Sequence, residues 1–292
     1  MNVFSIKDLE ALSGIKAHTI RIWEQRYSVL RPERTDTNIR TYNNEELRYL
    51  LNVALLNKHG YKISSITKMT PPELHERILG LNNESALNER SINQMIMHMT
   101  VLDMQVFESV IDKHIKNIGL KKTMTGLIFP FLSRIGMLWQ TNHINPAQEH
   151  LVSHIIRQKI ISAIDRTPIP APGSPVVLFL PPGEYHELSL LFAEFMMKSE
   201  GVTTLYLGAD VPLHDLPELI RLKQPSCLYT HITSLPQKTS FSRLMDQVLE
   251  VANGVPVIIS GRHAQMYKGI VPRGVTLKTS LEELHHFIVN TL

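Results

Sequence analysis

One short stretch, LPPGEYHELSL at residues 180–190, places His186 between two glutamates just after an apolar run. A histidine beside a carboxylate suits metal ligation, because the carboxylate can fix the imidazole tautomer. An ordinary polar residue at a strand-to-helix turn has the same local pattern, and the spacing does not separate the two. Cys227 is the only cysteine, so thiolate zinc sites and disulfides are excluded. The chain has no P-loop and no G-x-S-x-G motif, which argues against NTPase and hydrolase chemistry.

A second set of residues comes from WQTNHINPAQEH, where Trp139 precedes the pair Glu149–His150 by ten residues. Asn145 and Pro146 predict the start of a new helix, with asparagine as the N-cap and proline at the first helical position. The tryptophan and the Glu–His pair therefore lie on different segments and could converge on one ligand. The alternative is a core tryptophan, an acid favoured by the helix dipole and a surface histidine.

The third set is basic. Residues 1–70 hold eleven Lys or Arg against seven Asp or Glu, a net charge of +4 that leaves about −1 on the remainder of the chain. Two short helices meet at Gly14, and the second carries five residues that suit nucleic-acid contact: His18, Thr19, Arg21, Arg26 and Tyr27. The following turn-rich segment adds Arg31, Arg34 and Arg40. This pattern indicates a helix-turn-helix followed by a wing; a merely solvated basic face is the alternative.

The elements that position these sets fall into three blocks. Residues 1–75 are mostly helical in pattern, with caps predicted at Ser5 and Asn43, and helical patterns return from about Ser91. Five apolar runs follow the proline-rich stretch TPIPAPGSP, and helical segments separate them. The apolar runs lie at 176–180, 204–208, 227–233, 256–261 and 275–279. Such alternation predicts a flavodoxin-like, doubly wound parallel sheet, whose ligands bind at the carboxyl ends of strands. His186 follows the first of these strands.

We therefore predict a multidomain α-helical and α/β protein. The expected parts are a DNA-binding domain at 1–75, a linker at 76–90, a helical bundle at 91–167 and a Rossmann-like domain at 174–292. No apolar run is long enough to cross a bilayer and the N-terminus lacks a signal peptide, so we expect a cytoplasmic protein with no membrane partner.

The segment HTIRIWEQRYSVLRPERTDTNIRTYNNEELRYL resembles the winged-helix DNA-binding domain of MerR-type transcriptional regulators, and the likeness covers about 70 residues. The resemblance implies that Arg21, Arg26, Tyr27, Arg34, Arg40 and Tyr42 contact DNA or shape the wing. It also implies double-stranded operator DNA as partner and a homodimer or homotetramer that reads paired half-sites. Two departures are Asn38, which replaces a wing glycine but tolerates a left-handed backbone, and Lys16, which replaces a capping Ser or Thr.

The remaining chain resembles the cobalamin-binding module of methyltransferase-type proteins and of light-sensing MerR-type repressors. The likeness rests on W-x9-E-H, on Glu184-Tyr-His186 after the first strand, and on LGADVP at 207–212. It implies that His186 ligates cobalt from the lower face and that Trp139, Glu149 and His150 lie over the upper face. Glu184, Thr233 and Gly261 complete the implied cofactor-binding set.

Four positions depart from that family pattern. Ser189 and Arg262 replace expected glycines, THITS (230–234) replaces an expected serine, and Gln140 follows the tryptophan. Two readings of the effector half therefore stay open. The first is a DNA-binding regulator that senses cobalamin (adenosylcobalamin or another form) as a light or B12 sensor. The second is a regulator of the same architecture that has lost cobalamin and responds to another ligand or a protein partner. A methyltransferase subunit is disfavoured, because such modules carry no winged helix.

Overall fold

The computed structural model describes residues 3–140, 145–169, 173–235 and 239–292, excepting the side chains of 137–140. The chain divides into two compact units, Met1–Ile155 and Ile156–Leu292. Within the described part, no helix is both long and apolar enough to span a membrane.

The first unit begins with the predicted winged helix-turn-helix. Its elements are α1 (Ile6–Ser13), α2 (Ala17–Tyr27), β1 (Glu33–Arg34), β2 (Arg40–Thr41), α3 (Asn44–Lys58), α4 (Ile63–Ile66) and α5 (Pro71–Leu79). Strands β1 and β2 pair antiparallel as the wing. Ser5 and Asn43 each form the predicted capping box, which satisfies backbone donors at the starts of α1 and α3.

Asn38 and Lys16, the two residues that depart from the MerR-type pattern, are both accommodated by neighbouring residues. Asn38 adopts the left-handed backbone expected of it, with φ of 63° at the wing turn. Lys16 makes no side-chain cap, as expected from its residue type. Glu10 replaces the missing cap from α1: its carboxylate accepts the Ala17 amide at 3.0 Å and pairs with the Lys16 ammonium at 3.1 Å.

A group of long helices follows: α6 (Glu84–Thr100), α7 (Met104–Thr123), a π-helical turn (Met124–Ile128), α8 (Phe129–Gln140) and α9 (Pro146–Asp165). The structure differs from a polar linker at 76–90, since residues 76–79 complete α5 and residues 84–90 form the first turns of α6. Ala86 is buried, and the Glu89 carboxylate pairs with Lys58 of α3 at 2.7 Å and with Arg134 of α8. The polar composition of this segment predicts a solvated linker. The partners of Glu89 lie far away in the sequence, so composition does not reveal them.

The second unit contains the predicted parallel sheet. Its strands are β3 (Val176–Phe179), β4 (Thr204–Gly208), β5 (Cys227–His231), β6 (Val257–Ser260) and β7 (Val275–Lys278). Their order is β4-β3-β5-β6-β7, and every adjacent pair is parallel. The intervening helices are α10 (Glu187–Ser199), α11 (Leu216–Lys223), α12 (Phe241–Ala252), α13 (Arg262–Met266) and α14 (Leu281–Thr291). The doubly wound fold is thereby confirmed.

Side-chain alternation gives this sheet two different faces. One face buries Val177, Leu228 and Ile259 in a continuous apolar core with α11 and α12. The opposite face carries polar side chains toward the carboxyl ends of the strands, because Tyr229 and Ser260 occupy the alternate positions and bond to each other. The loops that follow β3, β5 and β6 meet at this edge.

Candidate functional site

The loop after β3 is held by the loop after β4. The Leu180 amide donates to the Gly208 carbonyl, and the Val211 amide returns a bond to the Leu180 carbonyl. Gly183 has φ of 81°, and its amide donates to the Asp210 carboxylate at 2.8 Å. The LGADVP segment thus fixes the turn that presents Glu184 and His186.

Glu184 is fully buried and is the centre of the site. One carboxylate oxygen accepts the backbone amide of His186 at 2.9 Å and its Nδ1 at 2.6 Å. The other oxygen accepts the backbone amides of Thr233 and Ser234, each at 2.7 Å. Burial raises the pKa of this carboxyl, but the bonds from His186 and Ser234 outweigh it and lower the pKa to about 2. Glu184 is therefore a buried, ionised and fully bonded carboxylate at neutral pH.

His186 lies at the start of α10 with 57% of its side chain exposed. Because Nδ1 bonds to Glu184, Nε2 is the ring nitrogen that would meet a metal, and the carboxylate sets that tautomer. No group of three or more His, Cys, Asp or Glu side chains among the described residues could hold a metal ion. One oriented imidazole fits a metal that brings its other ligands with it, as cobalt does in a corrin ring.

Thr233 and Gly261, predicted to bind the cofactor, have structural roles here. Thr233 reaches Glu184 through its backbone amide. Gly261 has φ of 100°, and a Cβ there would lie 2.5 Å from the Ile232 carbonyl oxygen. Only glycine allows the loops after β5 and β6 to approach this closely. Direct contact of either residue with a cofactor stays a prediction.

Beside Glu184, the sheet face carries a hydrogen-bonded trio that the sequence did not reveal. The Ser260 hydroxyl lies 2.6 Å from the Tyr229 hydroxyl and 2.8 Å from His231 Nδ1. Burial lowers the pKa of His231 to about 4, despite the opposing effect of the Glu184 charge. The β5–β6 register pairs His231 with Ser260, and this pairing is what brings the trio together. The alternation of side chains along β5 could have predicted that Tyr229 and His231 share one face of the sheet. It could not have predicted that Ser260 is their partner.

Glu187, the residue after His186, anchors a second polar chain. Its carboxylate accepts the Tyr206 hydroxyl at 3.0 Å and pairs with Arg157 of α9 at 2.8 Å. Burial, followed by the Glu187 charge, raises the pKa of Tyr206. Sequence patterns did not predict Arg157, because it lies on a helix outside every recognised motif.

The predicted upper-face residues are placed only in part. Asn145 caps α9 as expected, accepting the Ala147 amide at 2.9 Å, and Pro146 opens the helix. Glu149 accepts the Ser153 hydroxyl at 3.0 Å and lies 3.3 Å from His150 Nδ1. The His150 side chain is 70% exposed. The side chain of Trp139 lies outside the described residues, so the convergence of the three stays a prediction.

In the winged region, the basic residues divide by exposure. His18, Arg21, Arg26 and Arg34 are exposed, while Thr19, Tyr27 and Arg40 are half-buried. Arg21 and Arg26 pair with no carboxylate in the described part of the chain, which suits long cations that meet phosphates. Arg34 donates to the Asn38 side chain at 2.5 Å, so it also braces the wing turn.

Tyr42 does not fit the prediction of a DNA contact. It is 1% exposed, and its hydroxyl donates to Glu24 at 2.5 Å. Burial, followed by the hydrogen bond to Glu24 and the Glu24 charge, raises the pKa of Tyr42. Arg40 pairs with the same Glu24 at 3.4 Å. The two wing residues are therefore held against α2, and Tyr42 shapes the wing from inside. Glu24 as their shared partner was missed from sequence.

Comparison with known proteins confirms the resemblance seen in the sequence. Residues 4–71 match the MerR HTH family regulatory protein model, and residues 92–162 match the B12 binding domain model. Two HTH-type transcriptional repressors of Myxococcus xanthus are similar over nearly the whole chain. CarH is 25% identical, covering 90% of each chain, and CarA is 27% identical, covering 96% of this chain and 94% of its own.

Among solved structures, the Methanosarcina barkeri monomethylamine corrinoid protein shares the fold. It has a TM-score of 0.50 and 10% identity, and the match covers 70% of this chain and all of that protein.

Proposed function

We propose that this chain, which joins a MerR HTH region to a B12 binding region, is a DNA-binding transcriptional regulator whose DNA affinity responds to cobalamin. The observation that carries the proposal is the Glu184–His186 pair, a buried carboxylate that orients an exposed imidazole at the carboxyl edge of a parallel sheet. The relatives CarH and CarA are named as transcriptional repressors, which supports a regulator rather than an enzyme.

His186 would hold cobalamin through Nε2. A bound cobalamin would supply its cobalt as the metal that this imidazole nitrogen would hold. Glu184 keeps the proton on His186 Nδ1, so that Nε2 presents its lone pair, and the amides of Thr233 and Ser234 keep Glu184 ionised. We expect the upper face to be covered by Trp139, Glu149 and His150. Adenosylcobalamin or another form of the cofactor would make the protein a light or B12 sensor.

Ser189 and Arg262 are expected to weaken cobalamin binding. Ser189 is half-buried in the first turn of α10, and the exposed Arg262 opens α13 directly after Gly261. Both replace glycines of the family pattern, so each adds a side chain where that pattern leaves room. Arg262→Gly is expected to tighten cobalamin binding severalfold in a spectroscopic titration, and an unchanged dissociation constant would remove Arg262 from this account.

The DNA-binding half would use its exposed cations. Arg21 and Arg26 on α2 would reach phosphates or base edges, with His18 and Thr19 on the same helix. Arg34 would contact DNA from the wing. We propose a homodimer or homotetramer, because modules of this type read paired half-sites of double-stranded operator DNA. A role on DNA also favours the predicted cytoplasmic location.

A visible spectrum tests the cobalamin proposal. Purified full-length protein is mixed in the dark with adenosylcobalamin or hydroxocobalamin, desalted and scanned. We expect a protein-bound cobalamin spectrum whose bands shift in His186→Ala. His286→Ala, at an exposed position on α14, is the matched control and should keep the wild-type spectrum. A colourless wild-type protein would refute cobalamin binding and favour the regulator that has changed its ligand.

DNA affinity then tests the coupling. A ligand shifts a two-state equilibrium only as far as it prefers one state, so cobalamin must change operator affinity if it regulates. Genomic fragments selected for binding supply the DNA, and the dissociation constant is measured with and without cobalamin, in darkness and after illumination. Equal affinities in all four conditions would refute regulation by cobalamin even if the cofactor binds.

A further inference from the structure

A cavity of about 930 Å³ lies within the first unit, remote in sequence from Glu184 and His186. Its walls come from α3 and α5 of the winged region and from α6 and α7 of the helical group. Leu51, Leu55, Ile78, Met97 and Val110 give it an apolar lining. The volume lies at the upper end of the range of about 300–1,000 Å³ that holds small molecules in proteins.

The charge of the lining is strongly one-sided. It contains four cations, Arg48, Arg90, Lys113 and Lys122, and among the described residues one carboxylate, Glu84. Arg90 is half-buried and pairs with no described carboxylate. Its neighbour Glu89 shows the contrast, because that carboxylate already pairs with two cations from other helices, Lys58 and Arg134. Arg48 pairs with Glu45 at 3.4 Å, so Arg90, Lys113 and Lys122 are the lining cations that pair with no described carboxylate.

Ser91 adds a polar group to this lining. It lines the cavity and is 8% exposed, yet its hydroxyl bonds to no residue that the structure describes. Serine inside a helix can bond back to a carbonyl of the preceding turn, and here it does not. The half-buried side chains of Asn52 and Asn88, also in the lining, form no hydrogen bond with described residues either. None of these polar atoms is both buried and unbonded, so they face open volume and can bond to a ligand in the cavity.

We propose that this cavity binds an organic anion with an apolar body, whose anionic group meets Arg90 and the Ser91 hydroxyl. The apolar lining takes up the body of the ligand, and the exposed lysines of the lining, Lys113 and Lys122, strengthen the attraction of negative charge. Because α3 belongs to the DNA-binding region while α6 and α7 do not, the ligand contacts both parts at once. Its binding is therefore coupled to DNA affinity wherever it favours one arrangement of these helices.

Two related dyes test the proposal with the full-length protein in the absence of cobalamin. The anion 8-anilinonaphthalene-1-sulfonate and its uncharged counterpart N-phenyl-1-naphthylamine share one apolar body and differ in the sulfonate. Fluorescence titrations are run on wild type, Arg90→Gln and Ser91→Ala. Lys116→Gln is the matched control, because Lys116 is an exposed cation on α7 outside the cavity lining.

We expect Arg90→Gln to weaken binding of the sulfonate roughly tenfold, the loss expected for one charge-assisted hydrogen bond, and to leave the uncharged dye within about twofold. Ser91→Ala should weaken sulfonate binding by a smaller factor. Lys116→Gln and His186→Ala should change neither dye, so the result does not depend on the cobalamin site. Equal losses for both dyes, or no loss in Arg90→Gln, would overturn the proposal.

Two further arms complete the test. Displacement of bound dye by octanoate and by phenyl phosphate distinguishes a carboxylate from a phosphate as the preferred anionic group. Far-UV circular dichroism checks that each variant is folded. If Arg90→Gln is unfolded, the exposed double variant K113Q/K122Q replaces it, with at least threefold weaker sulfonate binding as the expected result and unchanged binding as the contrary one.

Discussion

Replacing Glu184 with glutamine should destabilise the second unit by about 3 kcal/mol at neutral pH. The carboxylate accepts five hydrogen bonds, two of them from backbone amides of the loop after β5 and one, at 3.5 Å, from the Ser234 hydroxyl. Its pKa is lowered from an ordinary 4.5 to about 2 in the folded protein. That difference of about 2.5 pH units corresponds to about 3 kcal/mol of stabilisation in the charged form. Glutamine keeps the size of the side chain but, like the protonated acid, lacks the charge.

The sign of the pH dependence follows from the lowered pKa. A carboxyl whose folded pKa lies below its unfolded pKa stabilises the fold above the unfolded value, and this contribution is lost as pH falls toward the folded value. The deficit of Glu184→Gln relative to wild type should therefore be constant from pH 7 to about 5.5. It should shrink to about 1 kcal/mol near pH 3 and vanish below pH 2.

Urea unfolding followed by far-UV circular dichroism measures the deficit at each pH. Trp23 and Trp139, the two tryptophans, both belong to the first unit, so tryptophan fluorescence recorded in parallel separates the transition of that unit. Glu250→Gln is the control, because Glu250 is exposed on α12 and should change stability by no more than about 0.5 kcal/mol. A deficit below 1 kcal/mol at pH 7, or one that is the same at pH 7 and pH 3, would refute the assignment of Glu184 as an ionised anchor.

Three further changes test other parts of the molecule. Gly261→Ala should cost about 2 kcal/mol or more in urea unfolding, because its Cβ would meet the Ile232 carbonyl at φ of 100°; wild-type stability would contradict the close approach of the two loops. Glu89→Gln should cost about 2 kcal/mol in the tryptophan-monitored transition, since it leaves the largely buried Arg134 without its carboxylate. A change below about 0.5 kcal/mol would show that Glu89 does not hold the helices together. Arg21→Gln should weaken DNA binding and lower the slope of log affinity against log salt by about one, as measured by anisotropy; an unchanged slope would exclude a phosphate contact by Arg21.

Local sequence signals determined most of the secondary structure. The capping boxes at Ser5 and Asn43, the left-handed Asn38 and the start of α9 at Asn145 were all predicted, because each depends on side chains within a few residues of the backbone it caps or turns. The five strands were predicted because apolar runs between helical segments are typical of a parallel sheet buried on both faces.

Other features were not accessible from local pattern. Residues 84–90 look like a polar linker, yet Asn83 caps α6 at the Ala86 amide and Glu89 pairs with cations on two distant helices. Tyr42 belongs to a DNA-binding motif, yet packing against Glu24 buries it. The cavity beside Arg90 and Ser91 is formed by four helices together and has no signature in any one of them.

The candidate site also combines features that the local sequence predicts with features that depend on tertiary packing. The sequence by itself determined that a histidine beside a glutamate follows the first strand of a parallel sheet, and the resemblance it carried assigned that histidine to cobalt. Only the tertiary structure decided that Glu184 is buried and ionised, that the backbone amides of Thr233 and Ser234 hold it, and that Ser260 joins Tyr229 and His231 beside it. Residues two apart in a loop interact through local geometry, which the sequence encodes directly. Residues about fifty apart meet because strand register and loop closure bring them together, and those depend on the packing of the whole sheet.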